Sequence, residues 1–335
     1  MADALADNAS DGVTNASLIA EFTAVKQAMT KQLAGHESLI HRLLLAIITG
    51  GHVLVEGAPG LAKTRTVNCF AQMLSASFTR VQATPDLLPA DLTGTNIYQQ
   101  HDGQFNFIKG PLFNNIVLVD EINRAPPKVQ SALLEAMGEK QISAAGITHA
   151  LDNPFMVVAT QNPIEHEGTY PLPEAQLDRF MFFVHVAMPD PTLEHQILDI
   201  VLHENTLHAN NGTQSPLLNR QHINTARAAA ASVYISDAVK DYIVRLVTAT
   251  RGHGAAGVEA QLIEHAASPR GTIFLAQAAQ AHAWLDGRDH TVPDDVMALA
   301  PDILSGRIVL NYQAQARGIS SREVIHRIMD DTAVL

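Results

Sequence analysis

The chain has 335 residues, 47% of them hydrophobic, and a formal net charge of −12 from 22 basic and 34 acidic side chains. That length allows two domains with a sizeable core, and the acidic balance excludes a broad nucleic-acid footprint, because phosphate backbones are held by clustered Lys and Arg. No apolar run approaches the roughly 18 residues needed to span a bilayer, so a soluble protein with no membrane insertion is expected, cytoplasmic by default.

Residues 1–17 are rich in Ala, Asp and Asn, lack the basic start and apolar centre of a secretory leader, and read as a disordered tail. From Leu18 to Ile48 the spacing of Leu39, Leu43, Ala46 and Ile47 predicts amphipathic helix, ended by Gly50-Gly51. The run His52-Val53-Leu54-Val55-Glu56 predicts a strand, and Gly57-Ala58-Pro59-Gly60-Leu61-Ala62-Lys63-Thr64 follows it at the start of another helix. Such a segment is a phosphate cradle: small residues let successive backbone N–H groups wrap the phosphates, Lys63 adds charge near the β and γ groups, and Thr64 offers its hydroxyl to Mg²⁺. ATP or GTP binding is expected. Ala62 stands where the usual pattern has Gly and is expected to take helical dihedrals, with φ below zero. The one cysteine, Cys69, falls among apolar residues of this helix and reads as a small core residue.

Phe78 to Gln82 predicts a strand, Thr84 to Leu92 a loop, and Tyr98 and Phe105 flank the turn dipeptide Asp102-Gly103 of a hairpin on which Phe105 and Phe107 share a face. Ile116-Val117-Leu118-Val119 reads as a buried parallel strand, Lys128 to Met137 as a helix, and Gln141 to Leu151 as a second hairpin turning at Ala145-Gly146. Strands over Phe155 to Thr160 and Phe182 to Val186 complete an α/β pattern, a mostly parallel sheet with helices on both faces. Beyond Pro189 the apolar residues Val239, Tyr242, Ile243, Leu246 and Val247 recur at helical spacing and strand-like runs disappear, with Asn210 to Pro216 as a polar loop. Residues 18–189 therefore read as an α/β nucleotide-binding domain and 190–335 as an all-helical one. Two histidine pairs, His36 with His41 and His203 with His208, resemble a zinc-protease spacing but are five apart, which turns the second imidazole about 140° away on a helix.

Two acids end the apolar strand at Asp120-Glu121. A nucleoside triphosphatase needs one carboxylate on the Mg²⁺ shell and another to polarise the attacking water, roles that fit Asp120 and Glu121 in turn. In Thr160-Gln161-Asn162-Pro163, Asn162 is placed to orient that water. Ser268 and Pro269 make a good N-cap and first helical residue, leaving Arg270 in the first turn, where a cation opposes the helix dipole unless an anion lies nearby.

The order and wording of these motifs resemble the AAA+ ATPases, and more closely their MoxR branch, from about Gln32 to Arg317. The Leu61-Ala62-Lys63 cradle looks like that branch's Walker A, Asp120-Glu121-Ile122-Asn123-Arg124-Ala125 like its Walker B, and Ala159-Thr160-Gln161-Asn162-Pro163 like its sensor 1. Gly168-Thr169-Tyr170-Pro171-Leu172-Pro173-Glu174-Ala175-Gln176-Leu177-Asp178-Arg179-Phe180 is the longest match. The resemblance implies a P-loop AAA+ core with a C-terminal helical lid, Mg²⁺-dependent ATP hydrolysis, Arg179 as an arginine finger reaching into a neighbouring subunit, and Arg270 as the sensor 2 residue. The plainer alternative for Arg179 is a salt bridge to Asp178 or Glu174. The resemblance also implies adenine contact by Leu33-Ala34-Gly35-His36, although the family often has Gln where His36 stands. It further implies a homo-oligomeric ring, a hexamer, that remodels or matures a client protein with a von Willebrand factor A domain partner. The two hairpins match by position the helix-2 insert and pre-sensor-1 hairpin, against the simpler reading that Phe105 and Phe107 pack on the core. Rival readings are a metal-chelatase motor subunit, a nucleotide-binding scaffold without turnover and, more distantly, a DNA helicase.

Overall fold

The computed structural model describes residues 14–99, 104–144, 146–162, 169–207, 216–253 and 257–334. Outside them lie most of the expected tail, the Asp102-Gly103 dipeptide, Ala145, Pro163, Gly168, His208 and the polar loop up to residue 215. Helices α1 (Asn15–Gln32) and α2 (Glu37–Thr49) lead into strand β1 (Val53–Glu56). The stretch expected as helix from Leu18 to Ile48 is thus two helices, because Gly35 turns the connection with a left-handed φ of 80°. Residues 15–17, expected in the tail, already belong to α1: Thr14 accepts the Ser17 N–H at 3.2 Å.

The α/β part continues with α3 (Lys63–Met73), β2 (Phe78–Gln82), the short α4 (Pro89–Thr93) and the hairpin β3 (Gly94–Gln99) and β4 (Gln104–Lys109). Then come β5 (Ile116–Asp120), α5 (Pro127–Glu139), the hairpin β6 (Gln141–Ala144) and β7 (Ile147–Ala150), β8 (Met156–Gln161), the single turn α6 (Glu174–Leu177) and β9 (Phe182–His185). Five strands form a parallel sheet in the order β2-β5-β8-β1-β9. Alternation along each strand sorts its side chains into two cores. Val53, Val55, Ile116, Leu118, Met156, Val158, Phe182 and Val184 face one cluster, while Leu54, Val117, Val119, Val157, Ala159 and Phe183 face the other. Both faces are covered, as the near-continuous apolar runs require.

The hairpins settle Phe105 and Phe107 differently. Phe107 is half-buried and stacks on His149 of the second hairpin at 4.5 Å, whereas Phe105 is 68% exposed beside Tyr98. They share a strand face, but the ribbon runs past the core between them.

From α7 (Pro191–Leu207) the chain is mainly helical, with α8 (Arg220–Ala231), α9 (Asp237–Ala249), the turn α10 (Gly257–Ala260), α11 (Pro269–Leu285), α12 (Pro293–Leu304), α13 (Tyr312–Ala316) and α14 (Ser321–Asp331). It is not strand-free: β10 (Ile263–His265) pairs antiparallel with β11 (Val309–Leu310), a ribbon too short to leave a period-two signal. Leu275, Trp284, Val296 and Leu299 of these helices join the same apolar cluster as α1, α2 and one face of the sheet. Trp284 meets Phe22 edge to face at 5.5 Å and donates its indole N–H to Asn15 at 2.7 Å. α12 and the turn Ser305–Arg307 pack along β9, which shields that edge strand from pairing with another chain. Among the described residues no helix is long and apolar enough to cross a membrane.

Candidate functional site

In a parallel sheet the carboxyl ends of the strands lie along one edge, and loops there are free to hold a ligand. The cradle leaves the carboxyl end of β1, next to the end of β8 and one strand from the end of β5. Gly57 through Thr64 are therefore brought to Asp120, Glu121 and Asn162 by topology alone. Pro59 to Arg65, Asp120, Glu121, Thr160 and Asn162 line one hollow of about 390 Å³.

Ala62 departs from what its residue type predicts. Its φ is 49° and ψ 18°, left-handed instead of helical, and Gly60 is left-handed too at φ 84°. The two bends curl the loop into α3 as a concave run of backbone of the kind that receives anions. Its methyl group makes this conformation cost about 1 kcal/mol more than Gly would.

Lys63 donates to the carbonyl of Gly57 at 2.5 Å, which keeps the amine over its own loop. Burial pulls its pKa down, while Asp120, Glu121 and Glu56 pull it up. Glu56, at the end of β1, is pushed up by burial against the opposing pull of His185 and Lys63. Thr64 Oγ1 lies 3.2 Å from Asp120 Oδ2, Thr160 donates to Asp120 Oδ1 at 3.1 Å, and Arg80 Nε sits 2.6 Å from Oδ2. A hydroxyl and a carboxylate converging in this way form a hard-oxygen pair suited to Mg²⁺. The donor set fits that ion, with Arg80 as the chain's own competing cation.

Glu121 is left-handed at φ 57° and ψ 49°, a conformation that stores of order 1 kcal/mol in a non-glycine residue. Its N–H donates to Thr160 Oγ1 at 3.0 Å; its carboxylate accepts Gln82 Nε2 at 3.0 Å and Arg124 Nη1 at 3.1 Å. An apolar hollow of about 500 Å³ adjoins the first through Pro59 to Ala62 and Arg65, and Gly35, His36, Met188 and Leu193 line it. This is the form expected of a pocket for a flat base beside a phosphate site. Burial lowers the pKa of His36, with Glu37 opposing, so its imidazole is neutral at pH 7.

Arg179 and Arg270 lie elsewhere. Both line a hollow of about 200 Å³ with Gly50 to His52, which precede β1, and Met181, which precedes β9. These are the amino ends of the strands, about 13 Å from the cradle by the rise of a four-residue strand. Arg179 donates to the Leu134 carbonyl and rests against Gly138 on the last turns of α5, where the helix dipole favours a cation and any Cβ at 138 would collide with Nη1. Neither Asp178 nor Glu174 takes it. Asp178 instead accepts Ser268 Oγ at 2.9 Å and faces Arg270 at 3.3 Å and Arg307 at 3.2 Å, while Glu174 faces His265 at 3.5 Å. In this arrangement the anion facing Arg270 is Asp178.

Three contributors to the cradle, Arg80, Gln82 and Thr160, and one residue behind the two arginines, Arg307 against Asp178, were given no role by the motifs. For Arg80 and Gln82 a signal existed: two polar residues at i and i+2 share one face of a strand whose other residues are Phe78, Thr79 and Val81. Among the described residues a further cluster of His282, Asp286 and Asp295 has metal-like spacing, but Arg288 bridges both carboxylates at 3.2 and 2.5 Å and already supplies the cation.

The profile of the ATPase family associated with various cellular activities (AAA) matches residues 52–182, and that of the AAA lid domain residues 255–328. The chaperone MoxR1 of Mycobacterium tuberculosis is 42% identical over 308 residues, covering 90% of this chain and 79% of that protein. Protein MoxR of Methylorubrum extorquens is 31% identical over 299 residues, covering 85% of this chain and 86% of that protein. A crystal structure of a protein assigned as an ATPase from Cytophaga hutchinsonii superposes with a TM-score of 0.87 at 43% identity, covering 95% of this chain and 96% of that one.

Proposed function

The chain belongs to the MoxR family of AAA+ ATPases, and from that premise we propose that it hydrolyses ATP with Mg²⁺ in a homo-oligomeric ring, a hexamer, to remodel or mature a client protein. One observation carries this reading: the residues for phosphate, metal and water stand at one edge of the sheet, and the two candidate charge-stabilising arginines at the other. A protomer whose Arg179 and Arg270 point away from its own cradle is complete only when a neighbour's arginines face that cradle. The fit to a von Willebrand factor A domain partner rests on family likeness alone.

In this reading the loop of Gly57 to Ala62 wraps the phosphates, Lys63 leaves the Gly57 carbonyl for the β and γ oxygens, and Gly35 and His36 border the base. Thr64 and Asp120 hold Mg²⁺, which when bound draws charge from the phosphate oxygens. Glu121, released from Gln82 and Arg124, accepts the proton of the attacking water, and Asn162 orients that water toward the γ-phosphate. A neighbour's Arg179 contributes a planar fork matched to phosphate oxygens and charged at any working pH.

Glu121→Gln keeps the shape and loses the base. Turnover is expected to fall by at least about 100-fold while ATP binding, followed with a fluorescent analogue, stays within about twofold. Unchanged turnover would remove the assignment.

A further inference from the structure

No motif announces Arg307, and it has no contact with the cradle. It follows α12 in the turn Ser305–Arg307, and its side chain is fully enclosed, 0% exposed. The guanidinium lies between the ring of Phe183 on β9 at 5.2 Å and the ring of Phe274 on α11 at 4.9 Å. Gly306 makes the approach possible, since any Cβ there would overlap the Phe183 ring.

The partners of its donors are unusual in their position. Nη1 donates to the carbonyls of Ile303 and, at 3.3 Å, Met181; Nη2 donates to the carbonyl of Phe180 and lies 3.4 Å from that of Asp178. Three of these four carbonyls, at 178, 180 and 181, bracket Arg179. Nε lies 3.2 Å from Asp178 Oδ1, and the other oxygen of that carboxylate accepts Ser268 Oγ and Arg270 Nη1. A single lid guanidinium therefore grips the backbone on both sides of one arginine and the counter-ion of the other.

Burial works against the charge, lowering the Arg307 pKa to about 10 with Asp178 opposing, which leaves it a cation at neutral pH. A strut serving only to dock the lid on β9 needs neither the fork on the carbonyls around Arg179 nor the carboxylate shared with Arg270. An apolar side chain of equal size between two phenyl rings would dock it at least as well. The rigid planar fork instead makes any shift of the lid a shift of residues 178–181. The helical part of the chain also borders the hollow proposed for the base in its own protomer, because Leu193 and Ile197 of α7 line it.

We propose that Arg307 is the positioning residue for Arg179 and Arg270, so that the position of one protomer's lid sets how well that protomer completes its neighbour's site. This rests on the reading that both arginines act across the subunit boundary.

The test mixes subunits. Arg307→Met should bind a fluorescent ATP analogue and assemble as the wild type does, yet turn over about 10- to 100-fold more slowly, the scale of a misplaced catalytic group. Mixed with Glu121→Gln, whose own site is dead but whose arginines are intact, it should recover turnover well above the sum of the two proteins alone. Arg179→Ala mixed with Glu121→Gln is the reference for supply across the boundary. Recovery in the reference but none with Arg307→Met, or wild-type turnover by Arg307→Met alone, overturns the proposal and leaves the cross-boundary reading standing. No recovery in the reference removes that reading and the proposal with it. Should Arg307→Met fail to fold, Asp178→Asn keeps the volume, cuts the link from Arg307 to Arg270, and is expected to give the same slow turnover and the same recovery; its failure to recover beside a working reference counts equally against the proposal.

Discussion

The two edges of the central sheet are built on different terms. At the carboxyl edge the polar side chains hold one another by contacts that a ligand can exchange: Lys63 on its own loop, Arg80 on Asp120, Gln82 and Arg124 on Glu121. The Arg80 and Arg124 side chains there are 52% and 41% exposed, whereas Arg307 at the amino edge is wholly enclosed between two rings. On the proposed reading, residues that receive a ligand are left exchangeable, and residues presented to a neighbour's ligand are fixed from behind. The Arg124–Glu121 pair is part-exposed on both sides and contributes at most about 1 kcal/mol, so breaking it on nucleotide entry would cost little.

This contrast is broken most sharply by one substitution at each edge. Lys63→Ala removes the cation proposed to bind the phosphates and is expected to weaken ATP binding by about 100-fold or more. Arg179→Ala is expected to leave binding within about twofold and lower turnover by about 1,000-fold, as loss of an arginine finger does. Equal loss of binding in both, measured by titration of a fluorescent nucleotide, would mean that the edges do not divide the work.

A smaller effect tests the rigidity of the amino edge. His52 precedes β1, accepts the Val157 N–H at Nδ1 over 3.0 Å and lies 3.3 Å from the Met137 carbonyl at Nε2, bridging β8 to the end of α5 on which Arg179 rests. Burial lowers its pKa from 6.5 to about 4, with the Met137 contact opposing. The folded state thus favours neutral imidazole, and between pH 6.5 and 4 the unfolded chain binds more protons. Stability from this group is complete above pH 6.5 and is lost as pH falls to about 4, on the order of 3 kcal/mol in all. His41, lowered to about 3 chiefly by burial, adds a loss of the same sign. Denaturant unfolding of His52→Gln across that window should show a shallower acid decline than the wild type. Parallel curves would show that His52 does not anchor this edge.

The cradle was legible because its parts are contiguous or follow apolar runs: Gly57 to Thr64 after β1, Asp120 and Glu121 after β5, Asn162 after β8. Strand periodicity placed them on one edge without any tertiary information. Ala62 misled because a residue preference was set against the geometry of the loop, and the loop's need to curl won. The amino edge was only half legible. Arg179 and Arg270 stood in recognisable segments, but what they face depends on how the lid packs along β9. Arg307 lies 128 positions beyond Arg179, in a Ser-Gly-Arg turn with no periodicity to mark it. The α1–α2 break at Gly35 and the β10–β11 ribbon escaped for a local reason: one glycine and five strand residues are shorter than any window that reveals a period.

On the proposed reading, one chain carries two halves of different sites. The most direct measurement is turnover per protomer against protein concentration, with molecular mass followed by light scattering in the same samples. Diluted monomers are expected still to bind ATP but to turn it over at least about 100-fold more slowly than the assembled form, recovering on concentration. Monomers that hydrolyse ATP at the assembled rate would contradict it.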